Sequence, residues 1–247
     1  MVIEDNLKKV LITGGTGSVG RSLVEKFCKK GYLVTFQYKN NQKVADELCR
    51  EFGAKSLKID LAKKISLPEN DYSVIINNAG IINSNVISHE TSFGDWDLTL
   101  QVNLTAVFEI LKICLPFMVN IQWGRVINIS SIYGLRVIDN NLPYNVSKHA
   151  LSGLTKSIAK EYAKFGITSN EICPGPIVSE IMTRVGKEES SYLGISLKEY
   201  FQKISDRIPC KRMAFPEDVA NLASFLASTE ANYLNGVSIP LDGGLIC

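Results

Sequence analysis

Seven short runs rich in β-branched and apolar residues alternate with longer stretches of helical periodicity: Lys9–Thr13, Leu33–Gln37, Ser56–Ile59, Val74–Asn77, Arg125–Ser130, Thr168–Ile172 and Val237–Pro240. No other feature constrains the fold as tightly. Short continuous apolar strands are buried on both faces, and strands joined by helical crossovers form a parallel sheet. The chain therefore reads as an α/β protein with a doubly wound, mostly seven-stranded parallel sheet and helices on both faces. No repeat, low-complexity tract or Pro/Gly-rich linker divides it, so residues 1–247 are expected to form one domain. One crossover is short, because Ala62–Asp71 with its Pro68 is a poor helix. Residues 181–207 follow a Pro-Gly-Pro turn, mix apolar and charged residues and carry a helical pattern around Leu197–Ile204, which suits a mobile lid over a site at the strand ends.

Composition removes several classes of function. Lys and Arg number 27 against 25 Asp and Glu, a net charge of +2, so no global field exists to hold a nucleic acid. No apolar run reaches the roughly 18 residues of a membrane span, and the start, Met1 to Asp5, puts acids where a leader needs a basic segment. Neither secretion nor membrane insertion is expected. Cys28, Cys49, Cys114, Cys173, Cys210 and Cys247 are scattered without a C-x-x-C pair and read as reduced thiols of a cytoplasmic protein. His89 and His149, the only histidines, have no metal-ligand spacing, so no metal is expected. The pairs Lys8-Lys9, Lys29-Lys30 and Lys63-Lys64 read as solvated faces.

Thr13-Gly14-Gly15-Thr16-Gly17-Ser18-Val19-Gly20 follows the first strand and opens a helix. Glycine there permits a tight turn and close approach of a pyrophosphate, which the positive end of the helix receives. A nucleotide site follows from that context. At the end of the second strand, Thr35-Phe36-Gln37-Tyr38-Lys39-Asn40 offers no acid to accept from the ribose hydroxyls of NAD, while Lys39 suits the 2′-phosphate of NADP. NADP(H) is therefore expected in preference to NAD(H). Tyr144 and Lys148 lie four residues apart on one face of a helix beginning near Pro143. An ammonium beside a phenol favours the phenolate and lowers its pKa, which suits acid–base work. Ser130 and Ser131 end the fifth strand, where a hydroxyl is placed to hold a carbonyl oxygen.

The nucleotide loop, Asn77-Asn78-Ala79-Gly80, Asn103, these serines, the Tyr/Lys pair and Pro174-Gly175-Pro176 occur in one order along the chain, which thereby resembles the short-chain dehydrogenase/reductase family over essentially its whole length. The resemblance implies a single-domain Rossmann fold and a catalytic tetrad at Asn103, Ser131, Tyr144 and Lys148, with Ser130 in support. It implies that Tyr144 protonates a carbonyl oxygen held by Ser131, that Lys148 binds the nicotinamide ribose, and that Asn103 holds a water linking Lys148 to solvent. Cofactor contacts are implied at Gly14, Thr16, Ser18, Val19, Gly20, Lys39, Asp60, Leu61, Asn78, Ala79, Gly80, Tyr144, Lys148, Pro174, Gly175, Ile177 and Ser179, the last through its hydroxyl. Tyr133 and Met182 are candidates for lining the substrate pocket, and Tyr192, Leu193, Tyr200 and Phe201 give the lid an apolar character.

The loop departs from the family's usual pattern, since Ser18 stands where a glycine is common and Gly17 where users of NADP often carry a basic residue. Ser18 is then a candidate phosphate contact through its hydroxyl or N–H. Trp123–Asn128, Pro216–Ala220 and Leu241–Gly244 resemble 3-oxoacyl-thioester reductases, but Gln122 and Phe165 replace arginines that grip a carrier protein, which counts against a carrier-bound substrate. The implied activity is NADPH-dependent reduction of a ketone, such as a 3-oxoacyl thioester, to a secondary alcohol. Alternatives are NAD-dependent oxidation of a sugar, polyol or other secondary alcohol, and a non-catalytic dinucleotide-binding sensor. A homo-oligomer is implied too, a tetramer in the family, and the stripe Leu151, Leu154, Ile158 and Tyr162 is either core or subunit interface.

Overall fold

Val10 and Ile12 point to one side of the first strand and Leu11 to the other, and all three are fully buried. That two-residue alternation, covered on both faces, repeats along the sheet and sets its architecture. The structure is a computed structural model that describes residues 8–83 and 85–247; the segment Met1–Asp5, read above for leader character, lies outside the described residues. Its strands are β1 (Lys9–Ile12), β2 (Leu33–Tyr38), β3 (Lys55–Lys58), β4 (Val74–Asn77), β5 (Gly124–Ile129), β6 (Ile167–Pro174) and β7 (Ser238–Leu241). They form one sheet in the order β3-β2-β1-β4-β5-β6-β7, and every pairing is parallel.

The helices are α1 (Ser18–Lys29), α2 (Gln42–Phe52), α3 (Phe93–Leu100), α4 (Ala106–Asn120), α5 (Leu142–Tyr162), α6 (Glu180–Tyr192), α7 (Leu197–Arg207) and α8 (Pro216–Leu226). Helices α1 and α8 pack on each other and on one face of the sheet through Leu23, Val24, Phe27, Val219 and Ala223. Helices α4 and α5 cover the other face through Ile110, Leu111, Met118, Leu151 and Ile158. Leu151 and Ile158 of the α5 stripe thus belong to the core. Local chemistry marks the ends: the Asn41 side chain accepts from Val44 N at 3.3 Å to cap α2, and Gly53 closes that helix at φ 69°.

Strand order reverses at β1, whose neighbours are β2 and β4, so a crevice opens beyond the C-terminal ends of β1 and β4. The glycine turn and the Asn77–Gly80 turn both leave the sheet there. Between β3 and β4 no helix forms among the described residues, as the Pro68 segment implied, and the Ile65 N–H donates instead to Glu109 of α4 at 3.1 Å.

Two expectations need correction. The continuous helix Phe93–Asn120 is long and apolar enough to cross a membrane by length and composition, an 18-residue stretch of it reaching a mean hydropathy of 1.8. Charges break its apolar run in the sequence, but Lys112 is exposed and Glu109 lies half-buried against Ile65, while Val107, Ile110, Leu111 and Cys114 pack on the sheet, as in a core helix. Lys9 is no freely solvated lysine either. Its ammonium lies 2.6 Å from Asp71 and 3.5 Å from Glu69, tying the start of β1 to the segment before β4.

Candidate active site

The glycine turn is built by contacts that leave no room for side chains. Gly14 lies at φ 67°, and a Cβ on it would stand 3.0 Å from the Ala79 Cα. A Cβ on Gly15 would lie within 2.7 Å of the Phe36 side chain, and one on Gly20 would run into the Gly14 carbonyl. The Thr13 hydroxyl accepts from both Asn78 N and Ala79 N at 2.9 Å, and the Asn78 amide donates back to Thr13 O at 2.9 Å and Gly14 O at 3.2 Å. The two turns are thereby one rigid unit. Gln37, noted in the sequence only for not being an acid, braces it from β2: its side-chain oxygen accepts from Gly14 N at 2.9 Å and its amide donates to Ile59 O at 2.5 Å.

Helix α1 begins beside this unit, its first-turn N–H groups lacking intrahelical acceptors. The Ser18 hydroxyl accepts from Glu180 N at 3.2 Å, which leaves its own O–H, together with its N–H, to donate to an incoming phosphate. Arg21 and Glu180 form an ion pair that joins α1 to the first turn of α6. Between them runs an open cleft of about 640 Å³, lined by Ser18, Val178, Ser179, Glu180, Thr183 and Arg184 among others. Ser179 caps α6, its hydroxyl accepting from Met182 N at 3.1 Å.

Lys39 and Asp60 meet just beyond the C-terminal ends of β2 and β3, 3.2 Å apart. The carboxylate of Asp60 is held below the usual range first by the Ala62 N–H and then by Lys39. Leu61 turns its side chain into the core, and its carbonyl accepts from the Gln101 amide at 3.5 Å. Gly175 N donates to Leu241 O at 3.0 Å, and Ile177 bridges to Ala214, so the Pro174–Ile177 turn is anchored to β7 and to the segment before α8.

The four tetrad positions converge. Asn103 lies in a π-helical turn, Gln101–Thr105, that interrupts the helix between α3 and α4. Its side chain accepts from Ile81 N at 2.8 Å and donates to Ile81 O at 3.0 Å and to Ser147 Oγ at 3.1 Å, so it clamps the chain after Gly80 against α5. The Lys148 ammonium donates to Ile129 O at 3.0 Å, lies 5.6 Å from the Tyr144 ring centroid, and is 4% exposed as a residue. A Cβ on Gly80 would stand 3.4 Å from that ammonium and 3.5 Å from Asn103 Oδ1, so glycine leaves a recess directly over both. The Ser131 hydroxyl accepts from Tyr133 N at 3.1 Å and hydrogen-bonds the Tyr144 phenol, so Tyr133 stands beside that pair. Met182 sits half-buried in the first turn of α6.

Electrostatics here differ from the sequence reading. Burial raises the Tyr144 pKa and only the Ser131 hydrogen bond opposes it, so the lowering expected from Lys148 does not appear. The reason is geometric: the ammonium lies toward the ring face and spends a hydrogen bond on Ile129 O. Burial lowers Lys148 to about 8. Tyr144 is consequently a protonated acid at neutral pH. His149 is exposed on α5, its Nδ1 2.9 Å from Asn145 O, and no group of His, Cys, Asp and Glu able to hold a metal occurs among the described residues.

This geometry coincides with strong similarity to known proteins. The family profile described as enoyl-(acyl carrier protein) reductase matches residues 14–246. The chain belongs to the short-chain dehydrogenase/reductase family. It is 32% identical over 259 residues to the 3-oxoacyl-(acyl-carrier-protein) reductase FabG of Aquifex aeolicus, covering 99% of this chain and 100% of that one. An actinorhodin polyketide ketoreductase variant solved with NADPH superposes with a TM-score of 0.89 at 26% identity, covering 98% of each chain. The L-sorbose reductase of Gluconobacter frateurii, solved with NADPH and L-sorbose, gives 0.87 at 28% identity over 97% of each chain. Like its family, the chain is an oxidoreductase acting on secondary alcohols and ketones, with the seven-stranded parallel sheet of that fold.

Proposed function

We propose that this protein reduces a ketone to a secondary alcohol with NADPH, and that a 3-oxoacyl thioester is its substrate class. The observation that carries the reading is a neutral, half-buried Tyr144 whose phenol hydrogen-bonds Ser131, with the Lys148 ammonium beneath the recess at Gly80. The dinucleotide fits this chain: the glycine turn leaves backbone where a pyrophosphate approaches, and the absent side chain of Gly80 leaves space for a ribose above Lys148. When bound, the nicotinamide supplies the hydride. Ser131 donates a hydrogen bond to the substrate oxygen, Tyr144 delivers the proton to it, and Lys148 holds the ribose hydroxyls. Asn103, its side chain spent on Ile81 and Ser147, holds the backbone whose carbonyls position the water that returns a proton through Lys148.

At the 2′ position the reading rests on Lys39. It leaves Asp60 for the 2′-phosphate, and the end of β2 offers no carboxylate to repel that group. The relatives solved with NADPH support this choice. The lid comprises residues 181–207 within a single domain, with Tyr133 and Met182 on the substrate side. A cytoplasmic homo-oligomer, a tetramer, completes the reading, supported by six free thiols and by Phe108, 52% exposed on α4. Gln122 and Phe165 favour a thioester of a small carrier over one on a carrier protein.

Titration with NADPH and NADH, followed by nicotinamide fluorescence, tests the cofactor choice. NADPH is expected to bind at least about tenfold more tightly, an advantage that Lys39→Ala abolishes. Equal or tighter NADH binding overturns it and brings NAD-dependent oxidation of sugars or polyols forward. Turnover of 3-oxoacyl thioesters against L-sorbose-like ketoses then separates the substrate classes, and a mass measurement at micromolar concentration tests the oligomer.

A further inference from the structure

Glu171 is a carboxylate buried without a cation in contact. It lies in β6 with no exposure at all, and the alternation of that strand turns Ile172 toward α8 and Glu171 and Cys173 toward α5. One oxygen accepts from the Ser152 hydroxyl of α5 at 2.5 Å, the other is buried away from solvent, and the Cys173 thiol is the further hydrogen-bonding side chain at the carboxylate. Ser152 stands one turn after Lys148 on the same helical face. Lys148 in turn donates to Ile129 O, and Ile129 pairs with Ile172 across the sheet. Carboxylate and ammonium thus share one buried layer between α5 and the strands β5 and β6.

Among the described residues, Glu171 is the only carboxylate of this layer. Facing Lys148 are Tyr144 of its own helix, Cys173 of β6, the neutral Ser131 after β5, and Gly80 and Asn103 from the opposite side. Facing Glu171 are Lys148, Ser152 and Cys173, with Asn128 beside it on β5 and Ser238 on β7. The Cys173 thiol is pushed up to about 12 by burial and stays neutral. Burial drives Lys148 toward the free amine, and Cys173 and Glu171 act against that; with the thiol neutral, Glu171 is the charge that remains.

We propose that Glu171 is a positioning residue for the reaction, a buried counter-charge clamped by Ser152 that keeps Lys148 an ammonium while the cleft excludes water. The proposal rests on the reading of Lys148 as the ribose-holding lysine, and its test separates the two. Lys148 is titrated directly in lysine-labelled protein by NMR of its Cε and Nζ, assigned by the loss of that signal in Lys148→Arg. Glu171→Gln keeps the shape and the Ser152 bond and is expected to lower the Lys148 midpoint by about one pH unit. Glu171→Asp keeps the charge and is expected to hold the midpoint within about 0.3 unit of the parent even where its melting temperature falls.

A midpoint unmoved in a folded Glu171→Gln protein, or moved equally by both variants, overturns the proposal. Should Glu171→Gln not fold, Ser152→Ala removes the clamp; a lower midpoint supports the proposal and an unchanged one overturns it. The pH profile of NADPH-dependent reduction completes the test, its alkaline limb moving down with the midpoint. A shifted midpoint with an unmoved rate profile overturns the proposal through the Lys148 reading, since the electrostatic coupling would then be real and the lysine idle.

Discussion

The two walls of the cleft are built on different principles. On the sheet side, Thr13, Gln37, Asn78, Asn103 and Lys148 are buried or half-buried, and each spends its polar atoms on backbone groups of another segment. On the lid side, α6 buries only Gly186 and Ser190 and α7 buries nothing, while Tyr192 is 90% exposed. The lid meets the other wall through Ser18 and the exposed Arg21–Glu180 pair. Fixed geometry is thus concentrated where a proton and a hydride must be delivered, and adaptable surface where a substrate must be chosen.

Changes on the sheet wall should therefore cost rate or fold, and matched changes on the lid little of either. The largest effect is expected from Tyr144→Phe, which removes the proton donor: kcat falls by about 10²–10⁴-fold with NADPH affinity and melting temperature nearly unchanged. Turnover within tenfold of the parent would place the acid elsewhere. Lys148→Met follows, with opposite effects on activity and stability. The depressed pKa of about 8 means the unfolded chain binds more protons than the folded one between pH 8 and 10.5, so stability from this group rises with pH through that window. Below it the folded protein bears the cost of a buried ammonium, about 3 kcal/mol at pH 7; Lys148→Met removes that cost but leaves Glu171 without its counter-charge, so it should stabilise by less than this figure while abolishing turnover. The gain should vanish above pH 10.5 in urea titrations run across that range.

A matched pair of glycine substitutions sets the walls side by side. The Cβ of Gly20→Ala meets the Gly14 carbonyl and Gly15 backbone, whereas that of Gly186→Ala meets only the ends of Phe201 and Leu197 at 2.8–2.9 Å. Backbone cannot yield as a side chain can, so about 2–3 kcal/mol is expected for the first and under about 1 kcal/mol for the second. Equal losses in chemical denaturation would erase the distinction. The smallest effect belongs to Glu180→Ala: an exposed ion pair contributes under about 0.5 kcal/mol, and the cofactor off-rate should rise no more than about threefold, less at high salt.

Much of the fixed wall was legible because its signals are local. All seven strands fall within two residues of the hydrophobic runs that announced them, and the order of motifs brought Asn103, Ser131, Tyr144 and Lys148 to one place. What escaped was pairing between distant segments. Nothing in the run around Gln37 tells that its side chain reaches Gly14 and Ile59, and Ser18 and Lys39 look free until Glu180 and Asp60 are folded onto them. Spacing alone gave the wrong sign for Tyr144, because four residues of helix bring lysine to tyrosine without saying which part of the ring it meets.

The π-helical turn at Gln101–Thr105 makes the site sensitive to chain length. Such a turn holds one residue more than the α-helix on either side. Deleting a single residue there would leave a regular, still apolar helix from Phe93 to Asn120, but it would swing Asn103 about 100° around the axis, away from Ile81 and Ser147. The distance between this site and a well-folded, inert descendant is one codon.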